Sequence, residues 1–155
     1  MERLINVAGY IFQRYEKEHG QTIDEMKLHK LMYFSQRESF IRNDEPLFKG
    51  VFYAWKFGPI LKEIRSIYIN KNFDSLRNST ISVTEKLTVI FDYIFSVFAN
   101  ESSWSLSTLT HNEYSWKHAR EGVLENENSD NKILDSDIKI DANTIKLQRT
   151  CLGVM

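Results

Sequence analysis

The stretch from Asp24 to Arg42, DEMKLHKLMYFSQRESFIR, reads as one long helix. Leu28, Leu31, Met32, Ser35 and Ser39 recur at the three- and four-residue spacing of a single helical face. Tyr33, Phe34 and Phe40 widen its apolar side. Thr22 or Asp24 can cap its start, and Asn43, Asp44 and Pro46 stop it. Lys27 and Lys30 point away from the face of Leu28, Leu31 and Met32. With Lys56 and Lys62 they read as a solvated side of the fold.

Upstream, Leu4, Val7, Ala8, Ile11, Phe12 and Tyr15 predict an amphipathic helix over residues 2–18, ended near Gly20. Downstream, residues 47–57, LFKGVFYAWKF, break the helical pattern. Val51, Tyr53, Trp55 and Phe57 alternate with Phe52, Ala54 and Lys56, as in a short strand or an extended loop across the helices. Gly58-Pro59 is expected to turn the chain. Pro59 then suits the first position of a helix reaching about residue 70, because its missing N–H costs nothing there. Residues 70–80 read as a loop. Ser82 and Glu85 have the spacing of a capping box and open a helix over 83–99. That helix is apolar almost all round and is expected to be the central buried one. Shorter helices follow over 103–109 and 114–121. Residues 125–137, ENENSDNKILDSD, read as an exposed, mobile loop. Ile138 and Ile140 predict a brief strand, and Asp141 a cap for a last helix to about Arg149. Residues 150–155 read as a flexible C-terminal tail. The sum is a mainly α fold: one compact domain over 1–149, of about six to eight helices, with at most short strands at about 51–57 and 138–140.

Composition agrees. A chain of 155 residues, 42% hydrophobic and 26% charged, can bury its own core. Ten Phe, seven Tyr and three Trp against six Gly and two Pro favour long helices over many short strands. The one cysteine, Cys151, excludes an internal disulfide and fits a reducing compartment. No apolar run is long enough for a membrane span, and MERLINVAGY lacks the apolar core of a secretory signal, so a cytoplasmic protein is expected. A net charge of −1 gives no general pull toward nucleic acid or anionic lipid.

Catalytic patterns are missing. His111 and Glu113 form an H-x-E pair, which in zinc deaminases precedes P-C-x-x-C, but no such cysteine pair follows. His29, between Lys27 and Lys30, reads as a structural histidine. There is no G-x-G-x-x-G, P-loop or G-x-S-x-G. Cys151 lies where the chain is expected to fray, without a placed base. Glu113 with His111 or His118 could form an acid–base set, yet no motif fixes its geometry. The expectation is a non-enzyme with no catalytic residues, no cofactor and no metal. Tyr53, Trp55, Phe57, Trp104 and Trp116 can be interface anchors, though for each the core is the simpler place.

Four pieces in order carry a resemblance. Met26-Lys27-Leu28-His29-Lys30-Leu31-Met32-Tyr33 resembles the "lKLqKLlYya" signature of the Panacea domain, found in SocA-like antitoxins and many phage-associated proteins. Pro46-Leu47-Phe48 is similar to its "plF". Ala54-Trp55-Lys56-Phe57-Gly58-Pro59-Ile60 is similar to its "AW..GPV". Thr110-His111-Asn112-Glu113, then Trp116-Lys117-His118-Ala119-Arg120, is similar to its "TH.e.PW..aR". The resemblance covers about residues 1–149. It departs at His29, where the family usually has Gln, at Ser115, where it usually has Pro, and in a last helix without the usual aromatic. The motif positions are Lys27, Leu28, Lys30, Leu31, Tyr33, Trp55, Gly58, Pro59, Thr110, His111 and Trp116.

In physical terms Trp55 is expected to fill a groove between helices, and Gly58 to allow a tight turn. His111 is expected to close a helix end or bond a backbone carbonyl. The resemblance implies the antitoxin half of a type II-like toxin–antitoxin system, which neutralises a cognate toxin by direct protein contact and can form an oligomer with it. One branch of the family instead hands its toxin to a ClpXP-type protease. A proteolytic adaptor, with the acidic loop and the tail as recruiting elements, is therefore the alternative, beside a phage-associated protein-interaction module. No membrane or nucleic-acid partner is expected.

Overall fold

The computed structural model describes residues 1–154. In chain order they form β1 (Glu2–Arg3), α1 (Leu4–His19), α2 (Glu25–Asn43), β2 (Phe48–Lys49), β3 (Phe52–Trp55) and β4 (Gly58–Leu61). Then come α3 (Lys62–Ile69), the single turn α4 (Asp74–Arg77), α5 (Glu85–Val97), α6 (Ser103–His111), α7 (Tyr114–Ala119), β5 (Lys132–Ile133) and α8 (Asp135–Leu152). The fold is mainly α, with eight helices among the described residues.

Helix α2 is the axis. Asp24 caps it by accepting the Lys27 N–H at 2.8 Å, and Asp44, in the left-handed region, closes it. It packs against α1, α3, α5, α6, α8 and β4. Every residue from Lys27 to Ile41 is buried. The expectation that 83–99 is the central helix is therefore corrected. Helix α5 buries Leu87, Ile90, Phe91, Ile94 and Phe95 on one face, while Val89 and Val97 stay exposed. Its cap is Thr84, which accepts the Leu87 N–H, and not Ser82.

A polar helix can be central because nearly all of its buried polar groups find partners, the Arg37 Nε being the exception. Lys27 Nζ donates to the Tyr15 hydroxyl and the Ala99 carbonyl, both at 3.2 Å. Gln36 behaves like a piece of strand: its amide donates to the Phe48 carbonyl and accepts the Leu47 and Phe48 N–H groups. Glu38 accepts from Arg42 and, through both oxygens, from Arg149 at 2.7 and 3.0 Å. The segment held by Gln36 then pairs in parallel with β1.

Strands β3, β4 and β5 form an antiparallel sheet in the order β4-β3-β5. The Gly58-Pro59 expectation is corrected here. Lys56 and Phe57 make the turn, Trp55 pairs with Gly58, and Pro59 lies inside β4. Strand β4 is a sheet edge, where a residue without an N–H is tolerated. Helix α3 starts only at Lys62.

Three corrections concern the C-terminal third. Residues 138–140 are helical, because α8 begins at Asp135. Asp141 is buried within α8 and caps α7 instead, accepting the Tyr114 and Ser115 N–H groups at 2.8 and 2.9 Å. Helix α8 runs to Leu152, into the segment read as tail, and Gly153 ends it; Met155 lies outside the described residues. The acidic segment is exposed but tethered. Arg120 donates to the Leu124 and Glu127 carbonyls, Asn128 accepts the Lys56 N–H, and Asp130 accepts the Trp55 indole N–H.

Candidate functional site

Residues of the first and the last motif segments meet at the third, the β3–β4 hairpin. Leu28 and Leu31 enter the main core. Tyr33, fully buried, meets the Ser115 hydroxyl at 2.7 Å and stands edge-on to Phe52. Trp116 donates its indole N–H to the Trp55 carbonyl at 2.8 Å, and His111 stacks on Trp116 at 4.3 Å. Ser107 donates to the Phe57 carbonyl, and the buried Thr110 donates to the Ser107 carbonyl at 2.7 Å. Arg120 reaches the Ala54 carbonyl at 2.8 Å. The hairpin backbone is thus tied to α6 and α7 at Ala54, Trp55 and Phe57.

Gly58 is at the centre of this knot. Its φ of 111° is open to glycine and strained for other residues. A Cβ there would come within 2.5 Å of Thr110 Oγ1 and 2.8 Å of Lys30 Cε. Close approach and backbone shape both demand glycine.

Trp55 does not fill a groove between helices. It is half-buried on the sheet, with its indole on Asp130 and the Arg65 guanidinium over its ring. Tyr53 and Trp116 are half-buried too. Phe57 and Trp104 are not core at all: they are 41% and 67% exposed and pack on each other at 5.9 Å.

Beside this aromatic pair a cleft of about 310 Å³ opens between α2 and the hairpin. Met26, Trp55, Phe57 and Ile60 provide its apolar walls, with Glu25, His29, Lys30, Lys56, Arg65 and Asn128 among them. The expectation of solvated lysines is corrected for Lys27 and Lys30, which are 7% and 1% exposed. Their stems cross the helix surface into its neighbours, so a lysine at this spacing need not reach water.

The electrostatics of the cleft follow from two anchors. Leu61 donates its N–H to His29 Nδ1 at 3.1 Å, so the ring proton sits on Nε2 and meets Glu25 at 3.0 Å. Burial pushes His29 down to about 4 and keeps it neutral. Burial alone would raise Glu25, but the His29 N–H and the Arg65 guanidinium outweigh it and hold the carboxyl below its usual range. Arg65 reaches both Glu25 oxygens, at 2.9 and 3.2 Å. Lys30 is left over. Its ammonium donates to the Pro59 carbonyl at 3.3 Å, and it has no ion pair among the described residues. Burial pushes it down to about 7.

Elsewhere the buried cations Lys27 and Arg120 are held by two or three hydroxyl or carbonyl oxygens each, and other buried charges pair with opposite ones. Arg37 pairs with Glu113, whose carboxyl is pushed up to about 7 by burial despite Arg37. His118 pairs with Asp137 at 2.7 Å. His111, Glu113 and His118 thus take three different sets of partners, and no group of three His, Cys, Asp or Glu suited to a metal occurs among the described residues.

Gln36, Ser107 and Arg149 were missed by sequence reasoning, Arg120 was visible only as part of a motif, and Asp141 was read as a cap for the wrong helix. Gln36 sits at core spacing within α2, and that position alone could have marked it. Asp141 and Arg149 carry no such mark, because their partners lie 26 or more residues away.

Residues 28–117, more than half of the chain, match the model of a family described as antitoxin SocA-like, Panacea domain. No curated protein and no solved structure matches the chain.

Proposed function

The chain belongs to the SocA-like antitoxin family with a Panacea domain, and from that premise we propose that it neutralises a cognate toxin by direct protein contact in the cytoplasm. The observation that carries this reading is the Phe57–Trp104 pair, exposed at the mouth of an open cleft. Large aromatics held outward on a rigid base are the usual anchors of protein interfaces. Here the base is the motif knot, which fixes the hairpin at Ala54, Trp55, Phe57 and Gly58. The tip of the hairpin is therefore pre-organised, which lowers the ordering cost of association.

The proposal involves no catalytic step. His111 and His118 serve packing and a surface ion pair, so replacing both by Ala leaves neutralisation intact. The tethering of the acidic segment through Asn128 and Asp130, to Lys56, Trp55 and Lys62, favours occlusion over delivery to a protease.

The test is co-expression with the product of the adjacent gene. Growth rescue and co-purification are expected. Phe57→Ala with Trp104→Ala should keep the melting temperature and weaken binding by roughly 2 kcal/mol or more. A neighbour that is harmless alone, or a pair that does not co-purify, rejects the reading. Toxin half-lives that shorten only when a ClpXP-type protease is present would replace occlusion by delivery.

A further inference from the structure

We propose that the cleft between α2 and the β3–β4 hairpin receives an acidic side chain of the protein partner on the Lys30 ammonium, with an adjacent apolar residue lying on Met26, Trp55 and Ile60. The inference rests on the reading of this chain as a toxin-binding protein.

Three observations carry it. The first is an incomplete ion pair. Buried charges in folded proteins are paired, because an isolated one loses its hydration without compensation. Lys30 is 1% exposed, yet its ammonium has one carbonyl and no carboxylate partner. The nearby carboxylate, Glu25, is already taken by His29 and by both contacts from Arg65. The groups facing Lys30 are Asp24, Glu25 and His29 at the start of α2 and His111 from α6. Asp24 is committed to the helix cap and to the Ser103 hydroxyl at 2.7 Å. His29 is neutral and spends both ring nitrogens inside the protein.

The second is charge balance at the opening. Lys30, Lys56 and Arg65 line the cleft against Glu25 alone, so its surplus is positive although the whole chain is at −1. An acidic segment is steered toward it. The third is shape. An enclosed cavity of about 150 Å³ already holds a benzene, so about 310 Å³ admits a side chain and part of its neighbour. The apolar part of the wall, Met26, Trp55, Phe57 and Ile60, runs out to the Phe57–Trp104 pair, which a protein surface can cover and a free small acid cannot. A carboxylate seated on Lys30 restores the charge that burial suppresses.

Two arms test this. In the first, NMR follows the Lys30 side chain while the full-length protein is titrated with acetyl-Leu-Glu-Leu-amide or its Gln counterpart. The Glu peptide should move the Lys30 signal and return its titration toward the ordinary lysine range, and the Gln peptide should not. Equal responses, or none, overturn the proposal. In the second, toxin affinity is measured for the wild type, for Lys30→Met and for Met26→Trp, which fills the cleft and leaves Lys30 in place. Both variants should bind roughly 10- to 100-fold more weakly and stay folded, with Lys30→Met melting no lower than the wild type because it removes a buried ammonium. Wild-type affinity in both variants overturns the pocket and leaves toxin binding standing. A wild type that ignores the toxin but selects the Glu peptide overturns the toxin reading and supports the pocket.

Discussion

Helix α2 carries Lys27, His29, Lys30, Gln36, Arg37 and Glu38 in an unbroken buried run, whereas α5, built largely of Leu, Val, Ile and Phe, buries a single face. The difference lies in their neighbours. Helix α2 is surrounded by helices on several sides and by β4, and most of these neighbours supply a carbonyl, hydroxyl or charge for a polar group that meets them. Helix α5 lies at the periphery, stacks Phe91 on Tyr10, and leaves Val89 and Val97 in solvent. Apolar content measures what a helix can bury; position in the bundle decides what it does bury. The cleft sits on α2 for the same reason. Only a helix with buried polar groups can place an unpaired ammonium inside the protein.

The contrast can be broken in several ways. The largest effect is expected for Glu38→Ala, which leaves Arg149 without its carboxylate in a nearly closed site. Removing one partner of a buried pair costs about 3–5 kcal/mol, to be read from urea unfolding. A loss below about 1 kcal/mol would show that the α2 network is dispensable.

Lys30 gives the next effect, and its sign is fixed by the direction of its shift. The folded protein releases the Lys30 proton near pH 7 and the unfolded chain near 10.5. Between these values the unfolded state holds more protons, so stability rises with pH across that window and is lowest, for this group, at or below pH 7. The gain is on the order of a few kcal/mol. It should vanish from the pH profile of Lys30→Met, with the wild-type-minus-variant difference as the readout.

Two caps then sharpen the comparison. Asp24→Ala and Thr84→Ala should each cost about 1 kcal/mol by thermal unfolding, with Asp24 the costlier because it also holds Ser103. Similar losses would place the difference between the helices in tertiary packing and not in local helix formation. The smallest effect belongs to Val89→Lys with Val97→Lys on the outward face of α5. Each should change stability by no more than about 0.5 kcal/mol. Unfolding of this double variant would restore α5 as a core helix.

Periodicity located most of the helices because local spacing is what it measures. The α2 boundaries, the Gly20 stop of α1 and the strand over Phe52–Trp55 were readable in this way. Ile138 and Ile140 failed because alternation over three residues cannot distinguish a strand from one turn of helix, and Asp137 and Asp141 bury the same side of α8. Pro59 failed because its missing N–H suits an edge strand as well as a helix start. In the cleft, the residue types were visible in the motifs, but the burial of Lys30 and the exposure of Trp104 were not.

From the order of residues alone came the mainly helical class, through local spacing and turn chemistry among residues a few positions apart, and the family, through the resemblance of its motifs. Which helix stands at the centre, which aromatics face outward and which buried lysine lines a cleft were decided by the tertiary structure. Those properties belong to pairs such as Lys30 with Pro59, Glu38 with Arg149 and Asp141 with Ser115, far apart in sequence and joined only when the chain has packed.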